Sequence, residues 1–287
     1  MVVDGAHVIE DWKTEFRKDY GELQTLQIIM GIEIPWLALT GTCSTEIFHT
    51  IYRTLGMGGT RPFWGIDRGA DRPNVAQWVR PMEYPVSSLY DLLAFVPKSP
   101  KGPSDFPKTI FYLKTRQLSR RACDICRTAV APEFRKHLWA FTAVNSEKYK
   151  EDVMEFLRKG SEARWLFATI AAGIGMDIPD IEVVVIFGVD GVNSAFQKGG
   201  RGGRDPSLQA KMIWIVEPWA FETAEIGRVD GRPPLKKALA DAKRRDNMDP
   251  ASREYINRSQ SIQCMRSYAV DHLVSSSSSL TSPSFWG

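Results

Sequence analysis

The chain has no long hydrophobic segment. None of its apolar runs is long enough for a membrane span, and it does not open with the basic and then apolar stretches of a secretory leader. These absences argue against a membrane or secreted protein, so we expect an intracellular protein without a membrane partner. Its 287 residues are 43% hydrophobic and 25% charged, a composition typical of one large or two small globular domains.

Cysteine is scarce, with four residues at positions 43, 123, 126 and 264. Cys123 and Cys126 form a single CxxC, without the second pair or nearby histidine that would complete a zinc site. They lie three residues apart in a segment with helical periodicity, 118–130, and therefore share one helix face. We expect buried or half-buried free thiols, with a metal or redox site as the less favoured alternative.

Neither charge sign is in strong excess, because 37 Lys and Arg residues against 34 Asp and Glu residues leave a net charge of +3. This balance permits a polyanionic partner without requiring one. A basic helical stretch contains Lys236, Lys237, Lys243, Arg244 and Arg245. Such a stretch is usually a solvated face and only sometimes a phosphate contact.

A short segment rich in glycine and arginine, 196–205, is the most informative part of the sequence. It runs Phe-Gln-Lys-Gly-Gly-Arg-Gly-Gly-Arg-Asp and follows an apolar run at 183–187. Glycine lets a backbone approach a ligand closely, and arginine matches phosphate oxygens in pairs. We therefore favour a site for the terminal phosphates of a nucleotide. The alternatives are a solvated loop or a disordered RGG-like segment, but the latter would be repetitive and this one is not.

Short apolar runs alternate with helical patterns from residue 108 onward, which predicts an α/β fold with a parallel sheet covered on both faces. The predicted strands are 109–113, 138–143, 164–168, 182–187 and 211–216, and the predicted helices are 118–130 and 146–159. An earlier strand is expected at 34–40. Glycine and proline are frequent at 56–108, which predicts a connector with one helix at 87–96.

Several of these stretches, in this order, resemble the RecQ branch of ATP-dependent DNA helicases, in particular those of fungi. The resemblance covers roughly residues 1–222. The stretch Asp4-Gly5-Ala6-His7 resembles the DEAH box, and an aromatic-rich loop continues to Tyr20. Residues 37–42 resemble the LALTAT motif, 71–74 the DRPN stretch, 109–116 motif IV, 168–179 motif V, and 197–204 the QxxGRxGR of motif VI.

The resemblance implies a RecA-like parallel sheet with flanking helices, the second helicase motor domain, together with part of the first. The implied domains are 1–57, the C-terminal remnant of the first RecA-like domain; 58–107, the connector; 108–222, the second RecA-like domain; 223–274, the start of a truncated zinc-binding or helical region; and 275–287, a Ser-rich disordered tail. The strand at 34–39 would then lack neighbours and expose apolar surface.

The resemblance also implies roles for individual residues. Arg201 and Arg204 would meet the γ-phosphate of ATP, and Gln197 would orient that network. Asp4 would reach Mg²⁺. The other residues implied at the nucleotide are His7, Asp177, Gly200 and Gly203, and those implied at DNA are Trp12, Phe16, Arg17, Thr169 and Gly173. Core packing remains an alternative for Trp12 and Phe16, and a turn or cap for Asp177.

The sequence departs from the family pattern at decisive positions. It contains no GxxxxGK[ST], the loop that cradles the β- and γ-phosphates, and Gly5 replaces the glutamate of the DEAH box. Ile170 and Thr14 replace the acidic residue and the histidine that many relatives carry. Cys264 matches the first cysteine of the family's zinc-binding region, but none follows, so no zinc site is expected.

The resulting interpretation is a truncated RecQ-like 3′–5′ DNA helicase of the nucleus, acting in repair and recombination with ATP and Mg²⁺. We expect the chain alone to be inactive, with DNA as its partner and a separate chain as one source of the missing motor half. A non-catalytic nucleic-acid-binding or regulatory module is the alternative, and it predicts salt-sensitive DNA binding without ATP hydrolysis. An RNA helicase of the DEAD-box group is less favoured, because the aromatic-rich loop is a RecQ trait.

Overall fold

The computed structural model describes residues 1–7, 9, 23–31, 34–41, 43–59, 62–66, 71–159, 162–170, 177–222, 236–259 and 264–273. The chain divides into two compact units. The first unit comprises Met1–Asp71 and Arg266–Gly287, and the second comprises Arg72–Met265.

The first unit contains a two-stranded parallel sheet of β1 (Val2–Asp4) and β2 (Leu37–Leu39), in register from Val2–Leu37 to Asp4–Leu39. Its helices are α1 (Leu23–Met30) and α2 (Thr45–Thr54). A serine cap begins α2, since the Ser44 hydroxyl accepts a hydrogen bond from the Ile47 amide at 3.4 Å. A small core joins Val3, Ala6, Ile9, Ile47, Ile51 and Leu55.

The strand predicted at 34–40 is shorter than expected and exposed. In the part of the chain that the structure describes, β2 pairs with β1 alone, and Leu37 and Leu39 are 50% and 45% exposed. This exposure of apolar strand residues matches the expectation that the strand would lack neighbours. A two-stranded pair has too few partners to cover both faces of its strands.

The second unit is built on a six-stranded parallel sheet in the order β3-β8-β7-β4-β6-β5. Its strands are β3 (Val75–Pro81), β4 (Thr109–Leu113), β5 (Leu138–Phe141), β6 (Trp165–Ala168), β7 (Val183–Phe187) and β8 (Ala210–Val216). All residues of β4 and β7 are buried, as expected for central strands covered on both faces. The α/β fold predicted from the sequence is confirmed.

The helices of the second unit are α3 (Arg116–Ala129), α4 (Glu147–Lys159), α5 (Val192–Gly199), α6 (Lys236–Asp246) and α7 (Pro250–Arg258). A further helix, α8 (Met265–Leu273), begins at the boundary between the units. Short 3-10 helices occupy Tyr90–Phe95, Pro103–Asp105, Pro132–His137 and Pro218–Ala220.

Helix α3 confirms the prediction of free buried thiols. Cys123 and Cys126 lie on its buried face, and neither forms a disulfide. Burial disfavours the thiolate and raises the pKa of each thiol to about 12. The two side chains therefore pack as small apolar groups beside Phe111 and Trp165.

Residues 72–107 differ from the predicted connector, because they belong to the second unit. Val75–Pro81 form the edge strand β3, which pairs with β8 along its whole length. The helix predicted at 87–96 is a 3-10 helix at Tyr90–Phe95. The sequence favoured a connector because glycine and proline are frequent in this region. An edge strand nevertheless tolerates proline at its end. The segment forms a strand because it pairs with β8, which lies far along the chain, and sequence periodicity does not report such pairing.

The second unit also extends beyond the boundary predicted at residue 222. Helix α7 packs on the sheet through Tyr255, whose ring lies 5.0 Å from that of Phe196 and 5.9 Å from that of Trp214. The Tyr255 hydroxyl also donates a hydrogen bond to Gln77 Oε1 of β3 at 2.9 Å. These contacts place α7 against the sheet of the second unit.

Candidate functional site

The chain direction across the sheet creates a crevice where binding sites usually form. From β4 the chain passes to β5 and β6 on one side, and then to β7 and β8 on the other. In open parallel sheets, ligands bind at such a reversal, outside the carboxyl ends of the strands. The carboxyl ends of β4 and β7 are adjacent in the second unit. The glycine- and arginine-rich segment follows α5, which returns the chain from this crevice to the amino ends of the strands, so the segment itself lies at the opposite edge of the sheet.

That segment, Gly199–Asp205, forms a loop that we call the Gly-Arg loop. Helical hydrogen bonds continue into it, from the Gly200 amide to Phe196 O at 2.8 Å and from the Arg201 amide to Lys198 O at 3.0 Å. Its far end is attached to the segment before β7, because the Gly203 amide donates to Ile181 O at 2.9 Å. The loop therefore has a fixed backbone path.

Gly203 is required by this path. Its φ of +55° lies in the left-handed region, which L side chains rarely adopt. A Cβ there would also lie 2.8 Å from Asn74 Nδ2 and 2.9 Å from Ala210 Cβ. The absence of a side chain at Gly203 therefore leaves room for Asn74 and Ala210. This packing role differs from the close approach of a ligand that the sequence predicted.

Two side chains of the Asp-Arg-Pro-Asn stretch clamp the Gly-Arg loop. Arg72 Nη2 donates to the carbonyl oxygens of Gly202 and Gly203 at 3.2 and 2.6 Å. Asn74 Nδ2 donates to Gly203 O at 2.8 Å, Leu208 O at 2.9 Å and Asp205 O at 3.3 Å. Asn74 is buried, so these bonds form away from competing water. The clamp fixes the loop that carries both arginines.

The two arginines lie in different environments. Arg204 forms an ion pair with Asp177, and its side chain is 30% exposed whereas that of Asp177 is 80% exposed. Arg201 is half-buried near Tyr112, and burial lowers the pKa of its guanidinium. Burial also raises the pKa of the Tyr112 hydroxyl to about 12, although the nearby arginines oppose that shift. An arginine remains protonated in a protein, so the loop presents two cations to an anionic ligand.

The structure describes some of the other residues of the second unit that the sequence predicted to contact nucleotide or DNA. Gln197 is half-buried in the last turn of α5, and Gly200 follows that helix directly. Thr169 is buried just after β6. Of the residues predicted to contact DNA, Trp12, Phe16, Arg17 and Gly173 lie outside the described residues.

In the first unit, the structure brings two predicted motifs together. The Ala6 amide donates to Leu39 O at 2.9 Å, and His7 Nδ1 lies 2.9 Å from Thr40 Oγ1. Asp4 ends β1 and accepts a hydrogen bond from the Gly5 amide at 2.8 Å. Gly5 has a φ of +64°, so the turn that follows β1 is built around a glycine. Asp4 and His7 thus share the carboxyl edge of the small sheet.

In the part of the chain that the structure describes, no group of three or more His, Cys, Asp or Glu side chains could hold a metal ion. No helix of the described residues is long and apolar enough to cross a membrane.

Sequence reasoning did not assign a role to Arg72 or Asn74. The Asp-Arg-Pro-Asn stretch was a visible signal, but its hydrogen bonds reach residues about 130 positions later in the chain. Tyr112 also went unassigned, because a tyrosine inside an apolar strand is most simply a core residue.

Comparison with known proteins identifies the class of the second unit. Residues 99–205 match the family model of the helicase conserved C-terminal domain. Among solved structures, Dbp5 of S. cerevisiae, bound to RNA and ADP BeF3, aligns with a TM-score of 0.58 at 11% identity, over 86% of this chain and 57% of that one. At this identity the likeness shows the fold alone. The second unit therefore has the RecA-like fold of a helicase C-terminal domain.

About three quarters of the chain is similar to RecQ-type helicases. It is 27% identical over 227 residues to the bifunctional 3′-5′ exonuclease/ATP-dependent helicase WRN of Mus musculus, covering 78% of this chain and 15% of that protein. It is 27% identical over 219 residues to the ATP-dependent DNA helicase RecQ of Haemophilus influenzae, covering 76% of this chain and 32% of the relative. The chain thus spans about a third or less of these relatives.

Proposed function

We propose that this chain supplies the arginine-bearing, DNA-contacting second motor domain of a RecQ-like ATP-dependent DNA helicase. The clamped Gly-Arg loop is the observation that carries this proposal. A helicase must present arginines to the γ-phosphate in fixed positions, because phosphoryl transfer is catalysed by positioning and charge stabilisation. The clamp by Arg72 and Asn74 provides that fixed position. The similarity to RecQ-type relatives supports DNA as the substrate.

In this proposal, Arg201 and Arg204 meet the terminal phosphates, with Gln197 and Asp177 beside them. Asp4 in the first unit would hold Mg²⁺ through its carboxylate, and His7 would lie on the nucleotide side. These residues fit a magnesium nucleotide in chemical type, since carboxylate oxygens suit Mg²⁺ and guanidinium groups suit phosphate. Strand separation in the 3′–5′ direction, in the nucleus, follows from the resemblance to the family.

We further propose that these 287 residues do not hydrolyse ATP alone. They contain no GxxxxGK[ST], and Gly5 stands where the family has the carboxylate that polarises the attacking water. The phosphate cradle would then come from another polypeptide or from a longer form of this chain. A glycine cannot accept a proton, so even a bound nucleotide would lack this base.

The experiment is a titration of the purified chain with fluorescent mant-ATP and Mg²⁺, followed by an ATP hydrolysis assay with and without single-stranded DNA. Arg204→Ala should weaken nucleotide binding about tenfold or more, because a charge-assisted hydrogen bond contributes about 1.5–3 kcal/mol. Arg135→Ala is the matched control, since Arg135 is exposed in the 3-10 helix that leads into β5, the outermost strand on the side of the sheet away from β7 and β8.

The results separate the candidate functions. Loss of nucleotide binding in Arg204→Ala, without turnover in the original chain, supports the helicase proposal. DNA-stimulated turnover that disappears in Arg204→Ala would contradict the proposed inactivity. Equal nucleotide binding in all three proteins would contradict the helicase proposal and favour the regulatory binding module.

A further inference from the structure

A cleft of about 530 Å³ opens at the carboxyl edge of the second unit's sheet. Its lining includes residues that follow the central strands, with Lys114 after β4, Ile170 after β6 and Asp190 after β7. It also includes Trp219 and Arg244, which lie in the 3-10 helix after β8 and in α6. We call this space the Trp219 cleft. Its volume is within the range of pockets that hold small ligands.

Trp219 and Arg244 form a cation–π pair, which we call the Trp219–Arg244 platform. The Arg244 guanidinium carbon lies 4.7 Å from the centroid of the Trp219 ring, which is a cation–π contact. A hydrogen bond stabilises the position of Trp219, since buried Arg245 donates from Nη1 to Trp219 O at 2.7 Å. Arg253 links the neighbouring elements, with ion pairs to Glu222 at 2.7 Å and Asp246 at 3.1 Å. These contacts attach the platform to the elements around it.

The carboxylates that line the cleft are already engaged. Asp190 forms an ion pair with Lys198 and accepts a hydrogen bond from Ser194 Oγ at 3.2 Å. Asp249 caps α7 by accepting bonds from the Ser252 amide and hydroxyl at 2.9 and 2.6 Å.

Two cations of the lining, Lys114 and Arg244, are not neutralised in this way. Among the described residues, no carboxylate lies within ion-pairing distance of Lys114 or Arg244. Both side chains are exposed to solvent. The cleft therefore combines two available cations with an aromatic face.

We propose that the Trp219 cleft binds a segment of single-stranded DNA, with one base against the Trp219–Arg244 platform and one backbone phosphate near Lys114. Aromatic rings and guanidinium planes stack on bases of any sequence, and a lysine contacts a phosphate as a point charge. The proposal rests on the proposed function in taking DNA as the partner. It adds a DNA contact from Trp219 and Arg244, which lie outside the stretches that resemble helicase motifs, whereas Lys114 lies within the stretch that resembles motif IV.

The charge in the cleft favours a strand over a free nucleotide. A nucleoside triphosphate carries several negative charges on adjacent phosphates, which a protein meets with a Gly-rich loop or a cluster of cations. Lys114 follows a central strand and Arg244 lies in α6, so these two cations come from separate elements of the lining. A DNA backbone presents one charge per nucleotide, so this arrangement matches a strand.

The test measures binding of a fluorescein-labelled oligothymidine to the purified chain by anisotropy, over a series of salt concentrations. Trp219→Leu keeps an apolar side chain but removes the stacking surface, so the affinity should fall about five- to tenfold with an unchanged salt dependence. Trp219→Phe should recover part of the loss. Lys114→Gln should lower the slope of log K against log salt by about 0.7, the contribution of one phosphate on a single strand.

Arg135→Gln serves as the control for Lys114→Gln, because it removes an exposed cation at the amino edge of the sheet. Photocrosslinking of a 5-iodouracil oligonucleotide, mapped by mass spectrometry, adds a local readout that should identify Trp219. Competition with dTMP should displace little of the oligonucleotide if a strand is the ligand.

The outcomes separate this inference from the proposed function. DNA binding with crosslinks elsewhere, and with Trp219→Leu and Lys114→Gln behaving like Arg135→Gln, would overturn the inference and leave the proposed function standing. Full displacement by dTMP would replace the strand by a mononucleotide and overturn it as well. Absence of any DNA binding, even at low salt, would overturn both.

Discussion

The clamp on the Gly-Arg loop can be tested by replacing Asn74. The Asn74→Ala substitution removes the Nδ2 group that donates to Gly203 O at 2.8 Å and to Leu208 O at 2.9 Å, with a longer contact to Asp205 O at 3.3 Å. An amide NH₂ has two hydrogens, so it makes two good bonds and shares a weaker third. Gly203 O keeps the Arg72 donor at 2.6 Å, which moderates the loss.

The expected cost follows from these bonds. Each intramolecular hydrogen bond contributes about 0.5–1.5 kcal/mol net, so two bonds give a loss of about 2 kcal/mol in the stability of the loop region. A loss of this size raises the open population of the region by a factor of about 30. Asn74→Asp keeps the volume but places a carboxylate oxygen against the same carbonyl oxygens. It should therefore destabilise the loop at least as much as Asn74→Ala.

The assay is native-state hydrogen exchange, because the chain has two compact units and a global unfolding curve would mix them. The informative amides are those of Gly203 and Ala210, which donate to Ile181 O at 2.9 Å and Asn74 O at 2.8 Å. Asn247→Ala is the matched control. Asn247 is exposed and makes a single 2.8 Å bond to Lys243 O, so its loss should cost less than about 0.5 kcal/mol.

One result would refute the reasoning. If Asn74→Ala and Asn247→Ala change the protection of the Gly203 and Ala210 amides equally, within about 0.5 kcal/mol, the three carbonyl contacts of Asn74 do not hold the loop. The positions of Arg201 and Arg204 would then need another explanation.

Four further predictions concern two glycines and the thiols of the chain. Gly203→Ala should destabilise the second unit by about 2–4 kcal/mol, because the residue has a left-handed φ and an added Cβ would be overpacked. Gly191→Ala is the control and should cost under about 1 kcal/mol, because a Cβ there meets nothing within 4 Å. Hydrogen exchange measures both costs, and equal costs would contradict the prediction. Gly5→Glu restores a family carboxylate at a φ of +64°, so it should cost about 1–2 kcal/mol in the first unit without creating DNA-stimulated ATP hydrolysis, and turnover in this variant would contradict the proposed inactivity. Iodoacetamide at pH 8 should label exposed Cys264 but not Cys123 or its partner in α3, whose pKa burial raises from 9.0 to about 12. Because the unfolded thiols lose their protons first, the free energy of unfolding should fall as pH rises from about 9 to 12, and a flat dependence would contradict burial.

The sequence predicted most of the second unit's sheet because its signals there are local. The apolar runs at 109–113 and 183–187 match strands β4 and β7 to within a residue. Both strands are buried on both faces, so every residue is apolar or small and the run is continuous. Helix α3 was equally visible, since its period places both of its thiols on one buried face.

The sequence did not predict the edge of that sheet. Strand β3 lies in a region punctuated by glycine and proline, and Trp78 on it is 60% exposed. Half-exposed edge strands lack the continuous apolar run of central strands, so their existence depends on the partner strand. The partner β8 lies more than a hundred residues later.

The candidate site was likewise predicted in part from the sequence. The residue types at Arg201 and Arg204, and the glycines between them, indicated phosphate chemistry from the sequence alone. The clamp by Arg72 and Asn74 and the pairing of Trp219 with Arg244 appear only in the folded chain. The sequence marked Arg244 as part of a basic helical face, but gave no sign that an indole would lie beneath it.

The sequence by itself determined the class of fold, the order of the central strands along the chain and the residue types of the Gly-Arg loop. These depend on local periodicity, residue type and spacing, which are written in neighbouring positions. Tertiary structure alone decided which strand closes the sheet edge, why Gly203 admits no side chain and which side chains line the Trp219 cleft. Each of these depends on contacts between residues far apart in the chain, as with Asn74 and Gly203, which are 129 positions apart. Only the folded backbone brings such residues within hydrogen-bonding distance.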